Sequence, residues 1–306
     1  MFRHLRSSCC GALLGLATLV PATPAAAQRP APLQAGLLRV CADPDNMPSS
    51  NDKGEGFENK LASMIAKEWN SKLEYVWYPT RRGYFRVLNG RYCDLAMEAP
   101  AGMDMAGATK PYFRSAYVFV ARKGSGLEDI NSLADPRLKK LKIGVNMYTS
   151  DAENSPPAMA LSRYGVVGNL KGYFTFFSDK ERPEDIINGV ANKDVDIAIA
   201  WGPLAGYYAK RSPVPLVLTP LPDKDSLSNT PFRYSIGIAV RRSEKAFRDS
   251  LQTLLDRKAP EIRALLEDYG VPVYPAPPEE SEGAGKAAGG APPPAAPDTS
   301  GKRTPA

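Results

Sequence analysis

Histidine is almost absent from this sequence. The one histidine among its 306 residues, His4, lies within the first ten residues. The rest of the chain therefore lacks the imidazole that Ser-His-Asp and Cys-His catalysts use as a general base and that metals use as their commonest nitrogen ligand. Carboxylates, tyrosines, lysines and arginines remain, but no motif arranges them for a reaction. The sequence thus argues against an enzyme, and we expect neither a cofactor nor a metal site.

Cysteine is scarce as well. Two of the four cysteines, Cys9 and Cys10, stand near the start of the chain, which leaves Cys41 and Cys93. In an oxidising compartment an isolated pair most simply forms one disulfide. The alternative is two buried thiols that pack as small apolar residues.

The first 27 residues have the pattern of a cleaved export signal. Arg3 and Arg6 precede the apolar run "GALLGLATLV", and the segment closes on Ala25-Ala26-Ala27. We expect cleavage after Ala27 and export to the periplasm. Because a membrane-spanning helix needs roughly 20 apolar residues, this shorter run predicts no membrane insertion.

Strong charge of one sign is also missing. The net charge is +6, and the basic doublets Arg81-Arg82 and Arg241-Arg242 stand alone, without a basic stripe or a series of stacking aromatics. We therefore expect no nucleic-acid partner. The last residues, 276–306, are rich in proline, alanine and glycine without periodicity, a composition that predicts a disordered tail.

A repeat runs through the middle of the chain. "LRVCA" at Leu38 is followed 56 residues later by Asp94, and "LKIGV" at Leu141 is followed 55 residues later by Asp196. Each unit reads strand, loop, helix, helix, Asp, strand. Short, continuously apolar strands that alternate with helices are typical of sheets covered on both faces. The repeat predicts two equivalent α/β units, and adjacent first and third strands in the first unit would bring Cys41 and Cys93 within disulfide range.

The last strand and two helices predict how the units are joined. "FRYSIGIAVRR" reads as a strand, and the two amphipathic helices after it are too few to bury a core of their own. The chain should therefore return to the first unit, so that strands near 117–122 and 234–240 form a hinge beside a cleft. We predict an α/β fold of two open sheets with these lobes: residues 37–121 plus 236–275, and residues 122–235.

The loop "RVCADPDNMPSSNDKGEGFENK" is crowded with Asp, Asn, Ser and Gly. A calcium loop needs oxygen ligands at alternate positions and then Gly, but Asp43 and Asp45 are followed by Met47 and Pro48. A phosphate loop needs glycines between strand and helix, and this loop has none before Asn51. Because the loop leaves the carboxyl end of a first strand, we interpret it as a lip of the cleft. A solvated turn is the alternative.

Five stretches together resemble a known family: "LRV", "GEGFENKLASMIAKE", "CDLAM", "TKPYFRSAYVFVAR" and "SIGIAVRR". Over roughly residues 37–272 they are similar to periplasmic solute-binding proteins of the type 2, family 3 class. The resemblance implies the two-lobed type II periplasmic-binding-protein fold with an interlobe cleft.

Three longer stretches narrow the resemblance: "RVCADPDNMPSSNDKGEGFENK", "YPTRRGYFRVLNGRYCD" and "TKPYFRSAYVFV". They are similar to the quinoprotein-dehydrogenase-associated branch, the J proteins of methanol dehydrogenase gene clusters. This implies a non-enzymatic accessory protein that acts with a pyrroloquinoline quinone (PQQ)-dependent alcohol dehydrogenase, in its maturation or activation. Two alternatives stay open: a receptor that hands a small non-amino-acid solute to an ABC transporter, and an enzyme built on this fold.

The cleft is predicted from the ends of strands in both units. The sequence leaves open whether this cleft has a ligand at all, and whether that ligand is a small molecule, a cofactor or a peptide segment of the partner. For each aromatic residue the alternative is ordinary packing, and for Arg82 it is a structural ion pair. The candidate cleft residues are Asp43, Asp45, Asn46, Trp77, Tyr78, Arg81, Arg82, Glu98, Tyr148, Thr149, Ser150 and Trp201.

Two anchors for an α-amino acid are missing. Receptors of the resembled class hold the α-carboxylate with an Arg after the third strand, but "EAPAGMDMAGATKPY" has no Arg before Arg114. They hold the α-ammonium with an acid at a strand end where this chain has Trp201-Gly202. We therefore expect no binding of ordinary α-amino acids.

Overall fold

The computed structural model describes residues 34–78, 84–102, 106–147, 154–174 and 182–275. The predicted signal peptide and tail lie outside these ranges. Among the described residues no helix is both long and apolar enough to cross a membrane.

The first half of the fold is a set of strands and helices in alternation. Its elements are β1 (Leu37–Ala42), β2 (Asp45–Asn46), β3 (Ser50–Asn51), α1 (Phe57–Glu68), β4 (Lys72–Trp77), α2 (Tyr84–Asn89), β5 (Leu95–Pro100) and β6 (Gly107–Ala108). The first helix packs on the sheet through an apolar stripe: Phe57, Leu61 and Ile65 are buried on α1.

The second half repeats this alternation, and the chain then returns to the first half. The elements are β7 (Phe113–Arg122), β8 (Ile143–Met147), α3 (Pro156–Leu161), β9 (Leu170–Phe174), α4 (Asp185–Ala191), β10 (Ile197–Trp201), α5 (Gly202–Arg211), β11 (Leu216–Pro220), β12 (Arg233–Val240), α6 (Lys245–Arg257) and α7 (Ala259–Asp268). Two short 3-10 helices span Pro136–Lys139 and Ser162–Tyr164.

Eight strands follow one path in the order β4-β1-β5-β12-β7-β10-β8-β9, β6 and β11 pair beside it with β12 and β7, and β2 and β3 pair only with each other. The start of β7 pairs with β12, from Phe113↔Ile236 to Ala116↔Arg233. The rest of β7 pairs with β10 and β11, and the rest of β12 pairs with β5. The two predicted crossing strands are therefore hydrogen-bonded to each other, and through them the two sheets are continuous.

The apolar core is divided between the halves. One cluster packs α1, α6 and α7 on the first half of the sheet, around Leu38, Leu61 and Ile238. Two clusters cover the opposite faces of the second half, around Ile143 and Ala198 respectively. The second half thus has helices or loops on both faces, as its continuously apolar strands predict.

The predicted repeat is visible in the backbone. Asp94 N–H donates to Arg39 O, and the Asp94 carboxylate accepts from Arg39 N–H at 2.9 Å. In the second half Asp196 N–H donates to Lys142 O, and the Asp196 carboxylate accepts from Lys142 N–H at 2.7 Å. The two aspartates therefore make the same two-bond connection to the start of a neighbouring strand.

A disulfide joins Cys41 and Cys93, whose Cα atoms are 5.6 Å apart. β1 and β5 are parallel neighbours, with Cys41 opposite Ala96, so the predicted adjacency of strands one and three is confirmed. Both cysteines are buried, in a small cluster with Phe85 and Leu88. The bridge closes a loop of about fifty residues. Because it restricts the unfolded chain, it raises the free energy of unfolding by a few kcal/mol.

Asp94 differs from Asp196 in its further contacts, which are with arginine side chains. Its buried carboxylate also binds the Arg39 guanidinium at 2.6 Å and lies 3.5 Å from buried Arg241. We expect Asp94→Ala to lower the unfolding free energy by about 3–5 kcal/mol, because the buried Arg241 and the partly buried Arg39 both lose this carboxylate. Urea unfolding of the purified variant measures this loss.

The repeat supplies the matched control. Asp196→Ala removes the equivalent backbone bond without a buried cation, and should cost only about 1 kcal/mol. Equal losses in the two variants would show that the ion pair adds nothing to the backbone connection.

Candidate functional site

The candidate site lies where the carboxyl ends of β1, β5 and β10 meet. In open α/β sheets ligand crevices form outside such strand ends. The loop after β1, residues 43–56, supplies one wall, β5 supplies Glu98 and β10 supplies Trp201. The site therefore takes residues from both halves of the fold.

The loop of residues 43–56 is fixed by its own polar side chains. Asp43 accepts from Asp45 N–H at 3.0 Å, and Ser50 Oγ donates to Asp43 O at 2.7 Å. Asn59 Oδ1, on the first turn of α1, accepts from both Asn51 N–H and Gly56 N–H at 3.0 Å. These bonds give the loop a defined shape.

Gly56 allows the loop to approach the helix closely. A Cβ added at Gly56 would lie 2.1 Å from Ser49 O. Because this is a steric clash, no residue with a side chain fits at this position unless the backbone moves. Ser49 O in turn accepts from Glu58 N–H at 2.9 Å. The "GEGFEN" stretch therefore places Glu58 directly behind the loop.

Glu58 is a buried carboxyl group in the first turn of α1. It is 3% exposed, and the Tyr112 hydroxyl donates to its Oε1 at 3.5 Å. Burial first, and then the charges of Glu98 and Asp43, raise the pKa of Glu58 well above its ordinary value.

Glu98 reaches the cleft because β5 contains a bulge. Between Ala96↔Ala239 and Ala99↔Gly237, β5 has one residue more than β12, and Glu98 adopts a φ of +55°. Leu95 and Met97 pack on one face of the strand, whereas both Ala96 and Ala99 pack on the other. The alternation of side chains is thus broken at Glu98, as a bulge requires.

The bulge aims Glu98 at the loop and at the second half. Asn46 Nδ2 donates to Glu98 Oε2 at 3.2 Å, and the side chains of Ser49 and Trp201 lie beside this carboxyl group and favour its charged form. Burial, followed by the nearby charge of Asp43, raises the pKa of Glu98 to about 7. Glu98 is therefore poised to gain or lose a proton near neutral pH.

Trp201 fills the second half's side of the cleft. Its ring lies 5.4 Å from that of Tyr117 and 5.9 Å from that of Tyr234, measured between centroids. These three rings come from β7, β10 and β12, and Trp201 and Tyr234 contact the cores of both halves. Aromatic side chains thus occupy the strand end at which an acid would be needed to hold an α-ammonium group.

A cavity of about 400 Å³ opens at the rim of the same cleft. Tyr208 lies beside Glu184 there; burial and this acidic neighbour raise the pKa of Tyr208. The cavity is lined by Pro44, Asp45, Met47, Asn51, Asp52, Lys53, Arg182, Pro183, Glu184 and Tyr208.

The structure brings some of the predicted cleft residues together. Asp43, Asn46, Glu98 and Trp201 meet at the floor of the cleft, and Asp45 lines the rim cavity.

Two other predicted residues pack elsewhere. Trp77 stacks on Tyr75 at 4.5 Å between centroids, and Tyr78 packs against the cluster around the disulfide. The remaining five candidates lie outside the described residues: Arg81, Arg82, Tyr148, Thr149 and Ser150.

Sequence reasoning missed Glu58, Tyr112 and Tyr208. Glu58 had a local signal, because an acid in the first turn of a helix that follows a cleft loop points toward that loop. Tyr112 and Tyr208 had none, since only the tertiary fold brings them to the cleft. Within the described ranges, no group of three or more His, Cys, Asp or Glu residues is arranged to hold a metal ion.

The comparisons with known proteins agree with this architecture. The chain is 31% identical to the protein MoxJ of Methylorubrum extorquens over 271 residues, which cover 83% of this chain and 87% of the relative. It is 28% identical to MoxJ of Paracoccus denitrificans, over 87% of this chain and 96% of that protein. No family model matches the sequence.

Solved structures also match this protein over most of its length. The periplasmic binding protein XoxJ from Methylobacterium extorquens is 37% identical, with a TM-score of 0.63 over 78% of this chain and 100% of that one. MxaJ from Methylophaga aminisulfidivorans is 29% identical, with a TM-score of 0.65 over 78% of this chain and 100% of that one. An ancestral cationic amino acid solute-binding protein, 20% identical with a TM-score of 0.59 over 77% of this chain and 96% of that one, shares the fold.

The two continuous α/β sheets, the paired crossing strands and the cleft between the halves define the type II periplasmic-binding-protein class. Within that class, the sequence identity to MoxJ over most of both chains places this protein in the same family as MoxJ. The chain belongs to the MoxJ family.

Protonation of Glu98 should make the stability depend on pH. Because its pKa is raised to about 7 in the folded protein, folding favours the protonated form. The stabilisation is full below the unfolded pKa of about 4.3 and is lost as pH rises through 7. Urea unfolding at pH 5 and pH 8 should therefore show a fall in stability that is smaller in Glu98→Gln.

The exposed Glu267 on α7 provides the control for this measurement. Glu267→Gln should retain the pH dependence of the wild type. A Glu98→Gln variant with the wild-type dependence would show that Glu98 does not titrate in this range.

Proposed function

We propose that this protein is a periplasmic accessory protein of a PQQ-dependent methanol or alcohol dehydrogenase and acts in the maturation or activation of that enzyme. Membership of the MoxJ family and the resemblance to J proteins of methanol dehydrogenase clusters support this role. Location in the periplasm follows from the export signal expected at residues 1–27 and agrees with the description of XoxJ as a periplasmic binding protein.

The observation that carries the proposal is that protein side chains close the cleft floor. Trp201 packs between Tyr117 and Tyr234 and lies beside Glu98, which comes from the other half. A receptor for a small solute has to keep the floor of its cleft free of its own side chains, so that the ligand can bind there. Here the scaffold of a receptor is retained while its central binding position is filled, which suits a protein that binds another protein.

Catalysis by this protein is not part of the proposal. The only histidine lies in the expected export signal. The carboxyl groups of Glu58 and Glu98 accept hydrogen bonds from Tyr112 and Asn46 within the loop and helix framework. We infer that they hold the cleft together and do not act on a substrate.

The rim cavity favours a second candidate function. Its wall carries Asp45, Asp52 and Glu184 beside Lys53 and Arg182, and its volume of about 400 Å³ falls within the range of small-molecule sites. A receptor that delivers a polar, non-amino-acid solute to an ABC transporter would use this cavity, and so would a short peptide segment of the partner.

Deletion of the gene separates the two functions. In an in-frame deletion strain we expect the periplasmic activity of the alcohol dehydrogenase to fall while its polypeptide is still exported, and tagged protein should copurify with the dehydrogenase. Re-expression of the wild-type gene is the control and should restore activity. Unchanged dehydrogenase activity in the deletion strain, with growth on the alcohol intact, would contradict the accessory role.

Binding of α-amino acids should be absent. Trp201 stands where an acid would hold the ammonium group, and a cation-π contact supplies only about 0.5–2 kcal/mol. Burial of a zwitterion without partners costs several kcal/mol for each charge, enough to remove micromolar affinity, which corresponds to about 8 kcal/mol.

The test is calorimetry of the refolded, ligand-free protein against the twenty amino acids, with an amino-acid receptor of this fold as positive control. Micromolar binding of any of them would overturn this expectation and support the transport function.

A further inference from the structure

The described chain ends in a segment that lies on the hinge. α7 stops at a left-handed Gly270, whose φ is +72°. Val271 N–H closes this turn by donating to Leu266 O at 2.9 Å. Residues 270–275, here called the strap, then run along the start of β7.

The strap is hydrogen-bonded to β7 at the point where β7 crosses between the halves. Ser115 Oγ donates to Pro272 O at 2.7 Å, and Tyr274 N–H donates to Arg114 O at 2.9 Å. Arg114 Nη1 also donates to Pro275 O at 3.2 Å. Strand β12 occupies one edge of this part of β7, and the strap bonds to the same residues of β7 as an additional extended segment.

The strap also reaches the second crossing strand. The Arg233 guanidinium, on β12, lies 4.8 Å from the centre of the Tyr274 ring. Asp223, in the loop after β11, forms an ion pair with Arg233 at 3.0 Å and accepts a hydrogen bond from Arg114 at 3.4 Å. One carboxylate therefore connects both hinge strands beneath the strap.

The start of the strap contacts the second half directly. A Cβ added at Gly206, on α5, would lie 1.9 Å from Gly270 O and 3.1 Å from Pro272 Cδ. Next to Gly206 on α5, the Tyr207 ring stacks on Tyr269 at 5.7 Å between centroids. The backbones of α5 and of the turn after α7 thus touch without an intervening side chain.

We propose that residues 270–275 are a hinge strap, which ties α7 of the first half to both crossing strands and to α5 of the second half and so restrains rotation of one half against the other. In two-lobed receptors hinge closure depends on the ligand. In this protein, contacts within the chain supply part of that restraint. The inference concerns the hinge alone and holds whichever partner or solute the cleft binds.

Substitutions in the full-length protein test the strap. Gly206→Ala should push α5 away from Gly270, although alanine favours a helix more than glycine does. The double variant Ser115→Ala/Tyr274→Ala removes one hydrogen bond and the cation-π contact without an added atom. The control is Gly168→Ala, since a Cβ at Gly168 has no atom within 4 Å.

The readout is hydrogen exchange of two amides at the hinge. Tyr117 N–H donates to Phe232 O at 2.8 Å, and Leu221 N–H donates to Tyr117 O at 3.0 Å. We expect exchange of both amides to rise about two- to tenfold in each strap variant, the factor that corresponds to one net hydrogen bond. Circular dichroism should be unchanged, small-angle scattering should show a larger radius of gyration, and Gly168→Ala should behave as the wild type.

Unchanged exchange and radius of gyration in the double variant would overturn the proposal, and so would an equal rise in Gly168→Ala. If Gly206→Ala does not fold, the double variant decides the question alone.

Discussion

Pairing between β7 and β12 is the constraint on which the rest of the structure depends. Four residue pairs, from Phe113↔Ile236 to Ala116↔Arg233, join the two halves of the sheet. Because each strand then continues into a different half, the same four pairs fix where the carboxyl ends of β5 and β10 lie relative to each other. The cleft, the aromatic group around Trp201 and the strap on β7 are all built on this short ladder.

The bulge in β5 converts that geometry into a site. A regular strand would direct residue 98 toward the same face as Ala96, next to the disulfide cluster. The extra residue turns Glu98 into the cleft instead, where it meets Asn46 and Trp201. A left-handed φ of +55° at a glutamate is unfavourable by itself, and such strain is maintained where the surrounding structure over-determines it. The contacts of Glu98 with both halves supply that over-determination.

Sequence patterns predicted the repeat, the crossing strands and the adjacency of Cys41 and Cys93, since these follow from apolar periodicity and from the order of units. The bulge left no trace in "LAMEAP", because both faces of β5 are apolar and an extra residue does not disturb the pattern. Tyr78 follows β4 directly and packs on the disulfide side of the sheet, a side that the pattern of β4 does not indicate. Tyr208 reaches the rim from another half of the fold, and only the pairing of β7 with β12 brings it there.

The side chains at the cleft floor and the proposed hinge strap would have the same physical effect, because both connect the two halves through contacts within one chain. A receptor gains specificity when solute binding provides the contacts that close its lobes. In this protein Trp201 contacts Glu98 across the floor, and Tyr207 stacks on Tyr269 beside the hinge. With those contacts made inside one chain, little closing energy is left for a solute to provide. A surface held in one arrangement loses less conformational freedom when a large partner binds, and this is the physical reason for which we propose a protein partner and not a solute.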